Sequence, residues 1–127
     1  MTPEAEDYLN KARDHLSEAQ KIEGIGLAKA AARSAYYAAF HAAQALVVER
    51  TGKIAKTHSG VRGEFSRLAR DEPRIDRTFP AFLAQAYLYK EVADYGTGAG
   101  ADVTMPDANS AIASASRLID CITALLG

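Results

Sequence analysis

Between Leu27 and Arg50 the chain carries ten alanines, at positions 28, 30, 31, 32, 35, 38, 39, 42, 43 and 45, and no glycine or proline interrupts them. Alanine is the strongest helix former, so this segment reads as one long helix. Small side chains on several of its faces let neighbouring helices approach closely. A helix of that kind belongs at the centre of an all-helical bundle. β-branched residues are sparse and scattered along the rest of the chain, which argues against an all-β fold.

Apolar periodicity supplies the other helices. The first is expected from Pro3 to about Ile22, capped by Thr2, with Glu4, Glu6 and Asp7 suiting its dipole. Ala5, Tyr8, Ala12, Leu16 and Ala19 mark its core face, and Gly24 and Gly26 bracket its stop. The alanine-rich helix runs from about Leu27 to Arg50, followed by a loop, Thr51 to Thr57. A third helix is expected from near Ser59 to about Arg70, with Val61, Phe65 and Leu68 inward and Arg62, Arg67 and Arg70 pointing elsewhere. Asp71-Glu72-Pro73 breaks it. A fourth spans roughly Ile75 to Asp94, with Phe79, Phe82, Leu83, Ala86, Tyr89 and Val92 inward; Pro80 allows a start as late as that residue. Gly96-Thr97-Gly98-Ala99-Gly100 reads as a loop. It lacks the preceding strand and following Gly-Lys-Ser/Thr of a phosphate cradle. A fifth helix starts near Pro106, capped by Thr104, with Ala108, Ile112, Ala115, Ile119, Ile122 and Leu126 inward. The expectation is one domain over residues 1–127, an up-and-down bundle of four to five helices.

Length and composition agree with a globular core: 127 residues, 48% hydrophobic and 24% charged. No apolar run reaches the roughly 20 residues of a membrane helix, and the acidic N-terminal stretch is unlike a secretory signal. The single cysteine, Cys121, allows no internal disulfide and reads as a buried thiol. A cytoplasmic location is the expectation. Net charge is −1, but it is unevenly spread: residues 50–77 hold eight basic and four acidic side chains, between two acidic segments. Such a stripe either steers a polyanion or forms a solvated helix face. Lys53, Lys56, His58, Arg62 and Arg67 are its candidate nucleic-acid contacts.

Chemistry concentrates in two places. Arg33, Tyr37 and His41 follow one another at four-residue steps, hence on one face of the central helix. Arginine can clamp a phosphate, tyrosine can stack, and histidine can move a proton near neutral pH. Tyr36, Tyr37 and Phe40 also read as core aromatics, and His41 as a satisfied, half-buried imidazole. Lys90, Glu91, Asp94 and Tyr95 form the second cluster, with Lys90 and Asp94 one turn apart and able to pair. His15, His41 and His58 lie in three different segments without metal-ligand spacing, so no metal site and no cofactor is expected.

Three segments in order resemble a known family. Arg33 to Leu46 reads RSAYYAAFHAAQAL; Lys56-Thr57-His58-Ser59-Gly60-Val61 follows; Lys90-Glu91-Val92-Ala93-Asp94-Tyr95-Gly96 completes the set. Together they resemble small stand-alone proteins of the HEPN superfamily, over about residues 5–125. The resemblance implies a four- or five-helix bundle, often a homodimer. Many such proteins are metal-independent RNases that act as the toxin beside a minimal nucleotidyltransferase antitoxin. In them an arginine, followed four to six residues later by a histidine, activates RNA for attack by its own 2′-hydroxyl.

This chain departs from that motif. Lys90 stands where the arginine belongs and Asp94 where the histidine belongs, while Arg33 and His41, like Arg50 and His58, are eight apart. A carboxylate beside the scissile phosphate repels it. Three functions remain open. The first is a non-catalytic module binding a nucleotide, RNA or a partner through the basic segment and the Arg33–Tyr37–His41 face. The second is an RNase toxin with a variant site built from Arg33, His41, Lys90 and Asp94. The third is a dimeric scaffold for a nucleotidyltransferase. The resemblance also aligns Tyr95 with a tyrosine that the partner enzyme adenylylates in some relatives. Adjacent second and fourth helices are expected to bring His41 within reach of Lys90 or Asp94.

Overall fold

A computed structural model describes residues 1–96 and 102–127 of the chain. It contains five helices: α1 Pro3–Gly24, α2 Ala28–Thr51, α3 His58–Arg70, α4 Thr78–Tyr95 and α5 Met105–Leu126. No strand occurs among the described residues, so the all-α bundle expected from periodicity is the fold. No described helix is long and apolar enough to cross a membrane. The glycine-rich loop expected after helix four falls at residues 97–100, outside the described residues apart from Gly96.

The helix ends follow local chemistry. Thr2 Oγ1 accepts the Ala5 amide at 3.2 Å, with Pro3 in the first turn. Thr57 Oγ1 accepts the Gly60 amide at 2.9 Å and starts α3. Thr104 and Asp107 form a reciprocal capping box at α5. Gly52 closes α2 at φ +71° and Gly96 closes α4 at φ +62°, backbone conformations that strain any residue with a Cβ. α1 runs two residues past the expected Ile22 to Gly24, and the turn is completed at Gly26, φ +79°.

α4 starts at Thr78 rather than Ile75. Asp76 explains the shift: its Oδ1 accepts the Thr78 amide at 2.8 Å and fixes a turn there, and Ile75 still reaches the core from outside the helix. Cys121 is also a correction. The thiol is half-buried at the edge of α5, where it donates to the Arg74 carbonyl at 3.4 Å.

α2 is the central helix and packs against the other four. Its alanines explain how: Ala31, Ala32, Ala35, Ala38, Ala39 and Ala42 are fully buried, so no long side chain holds the neighbours away. Larger residues from the surrounding helices fill the space, among them Leu9, Phe65, Leu83, Leu118 and Ile122. Each such side chain stabilises the bundle by about 1.5–3 kcal/mol through apolar burial. α1 runs antiparallel to α2, its N-terminus tied by a 2.7 Å hydrogen bond from the Thr2 amide to Glu49 Oε1. α4 also runs antiparallel to α2, which sets its last turn beside the first turns of α2.

Candidate functional site

The last turn of α4 meets the first turns of α2 in an ionic cluster. Arg33 Nε donates to Asp94 Oδ1 at 2.5 Å, across 61 residues of sequence. Lys90 Nζ lies 3.1 Å from Asp94 Oδ2, one helical turn away, as the spacing predicts. Lys90 extends the buried stripe Phe79–Leu83–Ala86 and is only 8% exposed. Its ammonium reaches out between the Tyr87 and Tyr95 rings, 5.8 and 5.6 Å from their centroids. Hydrogen bonding to Asp94 pushes the Lys90 pKa up despite its burial. Burial pushes the Asp94 carboxyl up, but Arg33 and Lys90 together outweigh that and hold it below the usual range.

From Arg33 an aromatic wall continues along α2. The guanidinium stacks on Tyr37, 5.0 Å from the ring centroid, and Tyr37 stands 6.3 Å from His41. The three residues therefore share one face, as their spacing predicts. Tyr36 and Phe40 are buried core aromatics, while Tyr37 and His41 are half-buried. His41 Nδ1 donates to Gln44 Oε1 at 2.6 Å, an orientation that leaves the Nε2 lone pair free. Burial pulls its pKa down; the Gln44 bond opposes this, and nearby His15, Lys11 and His58 add to it.

His41 does not reach Lys90 or Asp94, contrary to expectation. It sits eight residues beyond Arg33, about 12 Å along the helix, and it faces α1, where it stacks on His15 at 5.2 Å and on Tyr8 at 6.3 Å. His58 takes the place near Lys90. At the start of α3 it packs 4.6 Å from Phe40 and 5.5 Å from Tyr87, and it shares a 2.6 Å hydrogen bond with the Tyr36 hydroxyl. Burial pulls the His58 pKa down, and the Lys90 and Arg62 charges add to the effect. All three histidines thus join one aromatic cluster across α1, α2 and α3. No local spacing signals this, because it depends on which faces of three helices meet.

The other candidates divide in the same way. Arg62 does not point away from the core: its guanidinium lies 4.1 Å over the Tyr87 ring of α4. Arg67 stays on the outer side of α3, hydrogen-bonded at 2.6 Å to Glu64. Lys53 and Lys56 are exposed in the α2–α3 loop, away from the ionic cluster. Tyr95 is 65% exposed beside Lys90. Gly60, within the Lys56–Val61 turn, has a steric reason to be glycine. A Cβ there would lie 2.8 Å from Thr57 Oγ1, the oxygen that caps the helix.

The whole set of helices, and not the cluster alone, matches a known domain: residues 5–125 fit the model of the HEPN domain. The chain belongs to the HEPN family. This HEPN chain is 28% identical over 119 residues to the UPF0332 protein glr0978 of Gloeobacter violaceus, covering 94% of this chain and 93% of that protein. Its fold matches the crystal structure of TT1696 from Thermus thermophilus with a TM-score of 0.68 and 23% identity, over 96% of this chain and 98% of that one. The segments at Arg33–Leu46, Lys56–Val61 and Lys90–Gly96 lie far apart in sequence, yet within this HEPN fold they surround one cluster.

Proposed function

We propose that the chain is a non-catalytic HEPN module that binds a nucleotide or RNA at the junction of α2 and α4. The observation that carries this is Asp94, held by both Arg33 and Lys90. A carboxylate kept ionised at neutral pH has no proton to deliver, so the position cannot serve as the histidine of an RNase motif does. The surrounding chemistry suits binding instead. Two cations flank one acid, the exposed Tyr95 ring beside Lys90 offers a stacking face, and Arg62 adds positive charge beside Tyr87.

Titration of AMP, ATP and single-stranded RNA against the wild-type chain tests the reading. Arg33→Ala with Lys90→Ala is expected to weaken binding at least about tenfold, the effect of losing two charged contacts. Arg62→Glu with Arg67→Glu, which reverses charge on α3, is expected to weaken RNA more than AMP. Unchanged affinity in the first pair, or no binding of any of these ligands by the wild type, sinks it.

A second reading, a variant RNase, draws on His41: an imidazole held neutral, with Nε2 free, can act as a base. Its mark is RNA cleavage that His41→Ala abolishes while binding survives. The same module would also suit a partner, a second copy of the chain or a nucleotidyltransferase encoded beside it. Tyr95, exposed beside Lys90, is the residue on which a nucleotidyltransferase would leave a nucleotide. Mass spectrometry of the chain co-expressed with that neighbour checks for the adduct, and Tyr95→Phe must abolish it.

A further inference from the structure

α3 and α4 run antiparallel, so the seam between them can be followed from the ionic cluster to the far end of the bundle. At the cluster end stand Lys90 and Tyr87 of α4, with Arg62 of α3 over the Tyr87 ring. Ser66 and Arg70 follow Arg62 at four-residue steps, on the same face of α3. They line an open groove of about 630 Å³, closed on the α4 side by Arg77 and Pro80. Both groove arginines are exposed, and neither has an ion-pair partner among the described residues. Their neighbours are occupied: Arg74 is paired with Glu72, Arg67 with Glu64, and Asp76 accepts from Thr78. Arg70 and Arg77 are therefore unpaired cations at this end, as are Arg50 and, with the opposite sign, Asp71 next to Arg70, none of which has an ion-pair partner among the described residues.

We infer that the α3–α4 seam is a phosphate track that leads from Lys90 and Arg62 to the Arg70–Arg77 groove, which makes the ligand a single-stranded RNA several nucleotides long rather than a mononucleotide. The inference rests on the binding reading above and names the ligand class. Distance decides it. Thirteen residues of helix separate Arg77 from Lys90, about 20 Å at 1.5 Å per residue. A mononucleotide at the cluster cannot touch the groove, whereas a strand can, with its phosphates met by the arginines and a base by the exposed Tyr95 ring. Arg62, over Tyr87 at the cluster end, lies about 12 Å from Arg70 along α3, which carries the positive charge from one end of the seam toward the other. An acidic peptide would satisfy the arginines, but it has no use for the exposed Tyr95 ring beside Lys90 at the cluster end.

The experiment compares AMP and oligoadenylate RNAs of 3 and 12 nucleotides, with the wild-type chain and with Arg70→Gln plus Arg77→Gln. Both residues are exposed, so the substitutions leave the core untouched, and circular dichroism confirms the fold. The wild type is expected to bind the 12-mer at least tenfold tighter than the 3-mer. The double variant is expected to lose that advantage and keep its affinity for the 3-mer and AMP. Its log–log salt slope for the 12-mer should become shallower by about 1.4, two phosphate contacts at about 0.7 each for single strands. A 12-mer bound no tighter than a 3-mer, or equal weakening of both by the variant, overturns the track while leaving the cluster site standing. Oligoglutamate displacing the 12-mer as well as unlabelled RNA does also overturns it. A wild type that binds no RNA of either length removes the cluster site and the track together.

Discussion

The Tyr36 hydroxyl and the His58 imidazole share a 2.6 Å hydrogen bond that fastens α2 to the first residue of α3. Tyr36 is fully buried, and burial raises its pKa well above the usual phenol value, so the hydroxyl stays protonated at any ordinary pH. His58 lies beside Phe40 and Tyr87, and the Tyr36 hydroxyl is its hydrogen-bond partner among the described residues.

Tyr36→Phe keeps the ring and removes only the hydroxyl, leaving Nδ1 of His58 without its partner. The expected loss is about 0.5–1.5 kcal/mol, the net contribution of one hydrogen bond to a half-buried imidazole. Urea denaturation measures it, with the slope of the transition unchanged. A stability equal to wild type would show that the bond contributes nothing net.

Gly60→Ala tests the turn that places His58. The new Cβ would meet Thr57 Oγ1 at 2.8 Å, so the threonine must rotate and give up the Gly60 amide that it caps. Loss of such a cap costs about 1 kcal/mol. Alanine favours helix over glycine by about 1 kcal/mol, which works the other way. The net change is therefore expected near zero, while Gly60→Ala combined with Thr57→Ala removes the clash together with the cap. Thermal unfolding of the two variants separates the effects: the double variant must not be less stable than the sum of its singles.

How much of this was legible in the sequence follows from the range of each interaction. The Arg33–Tyr37–His41 face and the Lys90–Asp94 pair are local, set by 3.6 residues per turn, and both stand as the spacing predicts. The buried alanines of α2 were legible for the same reason. The start of α4 was misplaced because the Asp76 side chain overrides an apolar pattern that includes Ile75. The Arg33–Asp94 bond, the convergence of His15, His41 and His58, and the inward turn of Arg62 onto Tyr87 depend on how whole helices rotate against one another. Periodicity shows which face of a helix is apolar. It does not show which polar residues at the edge of that face will meet.

Acid should loosen the histidine cluster before it affects the carboxylates. His41 faces His15, Lys11 and Tyr8 of α1, Tyr37 and Gln44 of its own helix, and His58 of α3. His58 faces Tyr36 and Phe40 of α2, Arg62 of α3, and Tyr87, Lys90 and Glu91 of α4. Of these the Gln44 bond favours a charged His41 and Glu91 a charged His58, and burial with the neighbouring positive groups outweighs both. Both histidines titrate below the ordinary 6.5 in the folded chain, so the unfolded chain binds more protons as pH falls. Their contribution is complete above the ordinary value and is lost as pH drops from there through the folded values. Asp76 and Asp94 are held low, and Glu72 at about 2 by its bonds to Arg74, so their losses come in stronger acid. Denaturation midpoints should be flat between about pH 7 and 8 and should fall by pH 5.5. His41→Gln should flatten that fall. A midpoint that holds or rises on going from pH 7.5 to 5.5 contradicts the assignment.

Asp94→Asn isolates charge from shape at the candidate site. Asparagine can still accept from Arg33, but the cluster goes from one net positive charge to two. Lys90, mostly buried, loses its counter-ion, and a stability loss of about 1–3 kcal/mol is expected for a charged group left unpaired. Binding should move the opposite way. A unit charge about 4 Å from a phosphate is worth about 1 kcal/mol in water, so removing the carboxylate should tighten RNA about fivefold at low salt. Near 1 M salt, where screening acts within about 3 Å, the advantage should vanish. The paired outcome, a weaker fold with a tighter ligand, distinguishes a carboxylate that tempers a polyanion site from one that serves only to hold α2 against α4. In the second case Asp94→Asn lowers stability and leaves RNA affinity where it was.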